Sequence, residues 1–94
     1  MEFAFDSVKN DLLRRTRGVT FPMVIEAIAE RGILLDFPHP NAAKYPRQRV
    51  FVIELEGYAY CVPYSVIGET WHLITIYPSR KFKNLLPGGQ NGQV

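Results

Sequence analysis

Two short glycine-containing loops between hydrophobic strands constrain this chain more than any other feature. Three runs rich in β-branched and aromatic side chains are predicted as strands: residues 50–55, 58–66 and 70–77. The first loop is Glu56-Gly57 and the second is Gly68-Glu69. Glycine in a two-residue loop is a strong signal for a β-hairpin, and glycine in the first loop position favours a type II′ turn. The sequence therefore predicts an antiparallel meander.

Two helices are expected before these strands. Asp6 or Ser7 offers an N-cap for a first helix that runs to about Arg17. Thr20 offers an N-cap for a second helix, and Gly32 ends it. Apolar residues fall at helical spacing on one face of each helix: Val8, Leu12 and Leu13 in the first, and Phe21, Val24, Ile25 and Ile28 in the second.

The order of these elements predicts the fold class. Residues 33–37 are predicted as another strand, residues 2–5 as a short strand or an extended lead-in, and residues 38–46 as a loop with three prolines. We expect an α+β fold in which two N-terminal helices pack on a four-stranded antiparallel sheet. A chain of 94 residues suits one domain, assigned to residues 1–86, with a disordered tail over residues 87–94.

Side chains alternate between the two faces of the predicted sheet, and Arg49 lies opposite Tyr64. One face carries the bulkier side chains: Arg49, Phe51, Ile53, Leu55, Tyr58, Tyr60, Val62, Tyr64, Trp71, Leu73, Thr75 and Tyr77. We expect the helices to cover the other, smaller face. The tyrosine-rich face is then partly open or covered by another chain, or its tyrosines are core residues with hydroxyls at the rim. Pro63 favours a bulge in the middle strand because it has no N–H.

Positive charge is concentrated in the second half of the chain. Residues 1–43 contain five Lys and Arg against six Asp and Glu, whereas residues 44–94 contain six against three. The six cations stand near strand ends: Lys44, Arg47, Arg49, Arg80, Lys81 and Lys83. Such strand ends can assemble one basic site, which suits a phosphodiester backbone when tyrosines lie beside it. The alternative is that these cations are simply solvated.

Several kinds of chemistry find no support in the sequence. The single cysteine, Cys61, lies between apolar neighbours, which is typical of a buried thiol, and it leaves no partner for an internal disulfide. His39 and His72 give no metal-ligand spacing, and we expect neither a metal nor a cofactor. No apolar run has the length of a membrane span and no signal-peptide pattern opens the chain, which favours a cytoplasmic protein.

Motifs near both ends of the chain resemble one protein family. The segment Phe3-Ala-Phe-Asp-Ser-Val-Lys9 is followed by Arg17-Gly-Val-Thr-Phe21, and the last predicted strand reads Ile74-Thr-Ile-Tyr-Pro-Ser-Arg-Lys81. In order and spacing these segments resemble BrnT-type toxins, which belong to the RelE/ParE-like toxins of bacterial toxin–antitoxin pairs. The resemblance covers about residues 3–82. The chain departs from the family pattern at Ser7, where the family commonly has proline, and in the loop over residues 38–46. These departures look like those of a divergent branch.

The resemblance implies a type II toxin that acts as a metal-independent ribonuclease and inhibits translation. It also implies a co-encoded antitoxin, commonly of ribbon-helix-helix type, with operator DNA bound only through that antitoxin. Cleavage by the RNA 2′-OH needs cations that stabilise the phosphorane oxyanion. The candidate catalytic residues are Arg80, Lys81, Arg49, Lys9 and Tyr64. The candidate RNA-binding residues are Lys44, Arg47, Tyr77, Ser79 and Lys83.

Two other interpretations stay open. A toxin of the same fold can block a protein target such as a topoisomerase, and a non-enzymatic domain can dock a partner chain through its aromatic face. Fold alone does not separate these functions from a ribonuclease. Of the two histidines, His72 is predicted on the helix-facing side, where a structural role is favoured over catalysis, and His39 is expected to be exposed in its loop.

Overall fold

The computed structural model describes residues 1–86, so the tail predicted over residues 87–94 lies outside the described residues. Along the chain the elements are β1 (Glu2–Phe5), α1 (Ser7–Arg17), α2 (Phe21–Arg31), β2 (Leu35–Pro38), β3 (Gln48–Leu55), β4 (Tyr58–Ile67), β5 (Thr70–Leu73), β6 (Tyr77–Pro78) and a 3₁₀ segment (Arg80–Leu85). The two N-terminal helices pack against the sheet, as the predicted α+β class requires.

The strands within residues 1–86 form one mixed sheet. Their order is β1-β5-β4-β3-β2, and β6 pairs with β4 beyond the end of β5. β1 runs parallel to β5, whereas the other pairs are antiparallel. The predicted four-stranded antiparallel sheet is therefore wrong in strand count and in being wholly antiparallel. β1 joins the sheet beside β5, and the last predicted strand is divided into β5 and β6.

The helix ends follow the predicted capping signals. The side chain of Asp6 accepts hydrogen bonds from the backbone N–H groups of Val8 and Lys9, and that of Thr20 accepts one from Met23. Asn10 joins the two helices, because its Oδ1 accepts a 2.7 Å hydrogen bond from the backbone N–H of Phe21. These side chains satisfy donors that a helix N-terminus otherwise leaves unpaired.

Both hairpin turns have the positive φ values that two-residue hairpin loops use. Glu56 and Gly57 have φ values of 51° and 83°, as a type I′ turn requires, and Gly68 has a φ of 63° in the first position of the second loop. The register that follows is the predicted one, with Arg49 opposite Tyr64 in the β3–β4 pair.

Pro63 interrupts the sheet on one side only. The β3–β4 ladder continues past it, with Val50 opposite Pro63. Its carbonyl accepts a 2.9 Å hydrogen bond from the N–H of Ile74, so its nitrogen also faces the last strand, where it has no hydrogen to donate. Pairing breaks there, and it resumes one residue out of register, with Cys61 opposite Tyr77. The predicted bulge in the middle strand, β4, is therefore absent. Instead, the register shifts by one residue in the neighbouring strand, between β5 and β6.

The helices cover the tyrosine-rich face, so the predicted assignment of the faces is wrong. Buried residues from the helices pack with strand residues of that face: Leu13, Phe21, Val24 and Ala27 with Phe51, Ile53, Leu55, Val62, Tyr64 and Leu73. The smaller face carries Val50, Val52, Ala59 and Cys61, and the partly buried side chains of Phe37, Tyr77, Phe82 and Leu86 pack against them. The bulky aromatic rings fill the thicker layer beneath the helices, and Tyr64 belongs to the core.

The apolar stripe predicted for α1 is only partly buried. Leu13 is in the core, but the side chains of Val8 and Leu12 are 75% and 43% exposed. In α2 the predicted stripe holds, since Phe21 and Val24 are fully buried and its other members pack against the core.

Candidate nucleic-acid interface

The proline-containing loop between β2 and β3 is tied together by its own backbone. His39 N–H donates to the carbonyl of Gln48 at 3.1 Å, which extends the β2–β3 ladder by one residue pair. The carbonyl of Asn41 accepts from the N–H of Tyr45 at 2.9 Å and from that of Lys44 at 3.2 Å. The loop therefore has a defined shape and can hold side chains in fixed positions.

This loop gathers an imidazole, a phenol and an ammonium group. The rings of His39 and Tyr45 lie 4.7 Å apart between centroids, and the Nζ of Lys44 lies 5.3 Å from the centre of the Tyr45 ring. His39 is half-buried rather than exposed, so that expectation is wrong. A cation beside an aromatic ring, on a fixed loop, is a surface suited to a nucleotide, whose base can stack and whose phosphate is anionic.

The 3₁₀ segment brings a second group of cations to the same face of the sheet. It begins where Ser79 N–H donates to the carbonyl of Ala59 at 2.9 Å. Phe82 then contacts Phe37 of β2, with ring centroids 5.5 Å apart. His39 follows Phe37 by two residues along the same ladder, so both lie on this smaller face. We call these two groups on the smaller face, His39, Lys44 and Tyr45 of the loop and Arg80, Lys81, Phe82 and Lys83 of the 3₁₀ segment, the cationic face.

Most cations of the second half have no carboxylate partner. Within residues 1–86, Arg49 is the only one of the six with a carboxylate oxygen within 4 Å. Elsewhere, Arg14 and Arg15 pair with Asp11 on the surface of α1, and Arg31 pairs with Glu30 and Glu54. The cationic face is therefore free to pair with an external anion.

Arg49 and Tyr64 lie together, but on the helix-facing side of the sheet. Arg49 Nε lies 3.2 Å from Oδ1 of Asp36, and the Tyr64 hydroxyl lies 2.8 Å from both Asp36 oxygens. The Tyr64 hydroxyl and then the Asp36 carboxylate raise the pKa of Arg49, while burial, with Asp36 adding to it, raises the pKa of Tyr64 to about 12. Tyr64 thus keeps its proton at neutral pH. Asp36 was not among the predicted site residues, although a carboxylate in the strand next to Arg49 was an available signal.

The remaining candidate residues are divided between the two sides. Tyr77 packs beneath the 3₁₀ segment, where burial raises its pKa. Arg47 is exposed in the loop. Lys9 lies half-buried in α1, and within residues 1–86 it makes no ion pair with a carboxylate. Among the ten candidates, the structure brings Arg49 and Tyr64 together at Asp36, whereas Lys44 lies against Tyr45, which was not one of the ten.

Cys61 and His72 both lie on the smaller face of the sheet. Cys61 is buried, and burial raises the pKa of its thiol, as expected for an unreactive cysteine. His72 is half-buried opposite Ser65, on the smaller face and away from the helices, so its predicted place on the helix-facing side is wrong. No three or more His, Cys, Asp or Glu side chains among residues 1–86 are grouped so as to hold a metal ion. No helix in this range is long and apolar enough to cross a membrane.

Comparisons of the chain with protein-family models, with curated proteins and with solved structures find no match.

Proposed function

We propose that this protein is the toxin of a bacterial type II toxin–antitoxin system and that it inhibits translation as a metal-independent ribonuclease. The observation that carries the proposal is the cationic face, on which Arg80 and three lysines have no carboxylate partner among the described residues, 1–86. Lys44 and Lys81 each lie over a half-buried aromatic ring, that of Tyr45 and that of Phe82. Phosphates pair with such cations and unstacked bases pack on such rings, so this surface favours single-stranded RNA.

The chemistry assigned to the cationic face is electrostatic. The 2′-oxygen of a ribose attacks the adjacent phosphorus, the bond from phosphorus to the 5′-oxygen breaks, and a 2′,3′-cyclic phosphate and a 5′-hydroxyl result. The 2′-hydroxyl proton passes to solvent, and water protonates the leaving 5′-oxygen. Arg80 and Lys81 stabilise the oxyanion, Arg80 through its planar fork of donors and Lys81 as a point charge. Lys44, Arg47 and Lys83 hold neighbouring phosphates.

The proposal extends to the partner and the compartment. A co-encoded antitoxin, of ribbon-helix-helix type, neutralises the toxin in the cytoplasm, and the complex contacts operator DNA through the antitoxin. A small reading frame of that character found beside the gene would support this part of the proposal.

Translation after tightly controlled expression tests the proposal. We expect the wild-type protein to stop translation, and we expect the translation rate to stay unchanged when the Arg80→Ala/Lys81→Ala variant is expressed. The matched control is Arg14→Ala/Arg15→Ala, which removes the same charge from the exposed surface of α1 and should stay toxic. If all three proteins, at equal soluble levels, leave translation unchanged, the ribonuclease proposal is wrong for this chain.

One observation favours a second candidate, a binding domain without enzymatic activity. Val8 and Leu12 lie one turn apart on α1 and are both largely exposed, although they are apolar. A docking function predicts that Val8→Ser/Leu12→Ser abolishes the effect of expression while the cationic variant keeps it. A ribonuclease predicts the reverse.

A further inference from the structure

The imidazole of His39 is held in one tautomer by the backbone. The N–H of Asn41 lies 3.0 Å from Nδ1 of His39 and points its hydrogen at that atom. A backbone N–H can only donate, so Nδ1 must offer its lone pair. The neutral ring therefore carries its proton on Nε2 and presents an N–H donor there.

The ring is also held in place. The backbone N–H of His39 donates to the carbonyl of Gln48, and its ring lies tilted by 47° against that of Tyr45. The backbone N–H of Tyr45 donates to the carbonyl of Asn41. The same residue, Asn41, thus fixes the tautomer of His39 and the position of the ring that supports it. A donor whose direction is set in this way loses little freedom when it binds a ligand.

The surroundings of His39 favour an anionic acceptor. Lys44 lies against Tyr45, and the exposed Arg47 follows in the same loop. Neither has a carboxylate within 4 Å in the part of the chain described, residues 1–86. An acceptor that meets an N–H donor between such cations is most favourable when it is negatively charged, as a phosphate oxygen is.

We propose that His39 is a hydrogen-bond donor that binds a non-bridging phosphate oxygen of RNA through Nε2–H, and that it does not act as the base for the 2′-hydroxyl. A ring with its proton already on Nε2, and with Nδ1 engaged by Asn41, has no free nitrogen to accept the 2′-hydroxyl proton. The inference rests on the proposed function, since it names how that surface holds its substrate.

Binding of a labelled single-stranded RNA tests the role of His39, with 2′-O-methyl riboses so that the RNA is not cut. His39→Phe keeps a planar ring but removes the donor, and we expect the Kd to rise about tenfold, the usual effect of losing a hydrogen bond to a charged group. His39→Gln retains an N–H donor and should bind within about threefold of wild type. Tyr58→Phe is the matched control, because it removes a donor from the exposed turn at the opposite end of the β3–β4 pair, and it should bind as wild type does.

Nitrogen-15 NMR of the free wild-type protein gives a second, independent measurement. We expect the His39 ring at neutral pH to show its hydrogen on Nε2. A hydrogen on Nδ1 overturns the inference, and so does equal weakening by His39→Phe and His39→Gln, which indicates a packing role. Wild-type affinity in His39→Phe overturns the inference but leaves the proposed function intact. No RNA binding by the wild type overturns both.

Discussion

The hydroxyl of Tyr64 lies 2.8 Å from both carboxylate oxygens of Asp36, although the two residues are far apart in sequence and on strands that do not pair with each other. β3 lies between them and contributes Arg49, which contacts the same carboxylate. The three side chains join three strands on the helix-facing side of the sheet. Because Tyr64 is buried and bonded in this way, we assign it a structural role ahead of a catalytic one.

Tyr64 is expected to make the free energy of unfolding fall as pH rises above 10. Its pKa rises from 10 to about 12 on folding, so the folded protein retains a proton that the unfolded chain loses. The stability from this group is therefore complete below pH 10 and is lost as pH rises toward about 12. Urea unfolding across this range should show a steeper loss for wild type than for Tyr64→Phe. Identical pH dependence in the two proteins would show that Tyr64 has an ordinary pKa.

Tyr64→Phe should also cost stability at neutral pH. It removes the donor to a charged acceptor without removing the ring, so we expect the free energy of unfolding to fall by about 1.5 kcal/mol. The stacking of this ring on Trp71, at 4.2 Å between centroids, should survive. A near-ultraviolet circular dichroism spectrum close to that of wild type would confirm that the ring packing is retained.

Replacement of Glu56 by asparagine should stabilise the protein. Glu56 has a φ of 51°, a left-handed conformation that costs most residues about 1 kcal/mol and costs asparagine less. We expect the free energy of unfolding to rise by about 0.5 kcal/mol, measured by urea denaturation. Glu69→Asn makes the same charge change in the other hairpin. Because the φ of Glu69 is not positive, this substitution should give no gain in the free energy of unfolding. Equal gains would point to charge rather than backbone conformation.

Asn41→Ala should weaken RNA binding while leaving the core intact. The substitution removes the Oδ1 that accepts from the N–H of Lys44 at 3.3 Å, so the loop that positions Lys44 and His39 becomes looser. We expect the Kd for single-stranded RNA to rise about threefold, as for loss of part of a hydrogen bond, and the unfolding midpoint to change little. An unchanged Kd would mean that the backbone bonds of Asn41 suffice to order the loop.

Local signals in the sequence were enough for the helices, the hairpins and their register. The caps at Asp6 and Thr20 and the loop glycines act within a few residues, so their effects can be read along the chain. The assignment of faces failed because it depends on which layer is thick enough for Phe51 and Tyr64, and only tertiary packing decides that. β1 was uncertain for the same reason, since its partner, β5, is distant in sequence.

The candidate site was only partly predictable. Cations at strand ends indicated a basic surface, but the sequence did not show that the 3₁₀ segment returns to Phe37 and so brings Lys81 and Lys83 to the side of the sheet that carries His39. Asp36 was missed because its contact with Tyr64 crosses an intervening strand. The constraint on His39 was missed because it comes from a single backbone N–H in an irregular loop.

The most direct test of the central claim is cleavage of single-stranded RNA by the purified protein in the presence of EDTA. The account predicts products with a 2′,3′-cyclic phosphate and a 5′-hydroxyl, no cutting at a 2′-deoxy position, and loss of activity in Arg80→Ala/Lys81→Ala but not in Arg14→Ala/Arg15→Ala. Full activity in the Arg80→Ala/Lys81→Ala variant, or cutting at a 2′-deoxy position, would contradict it.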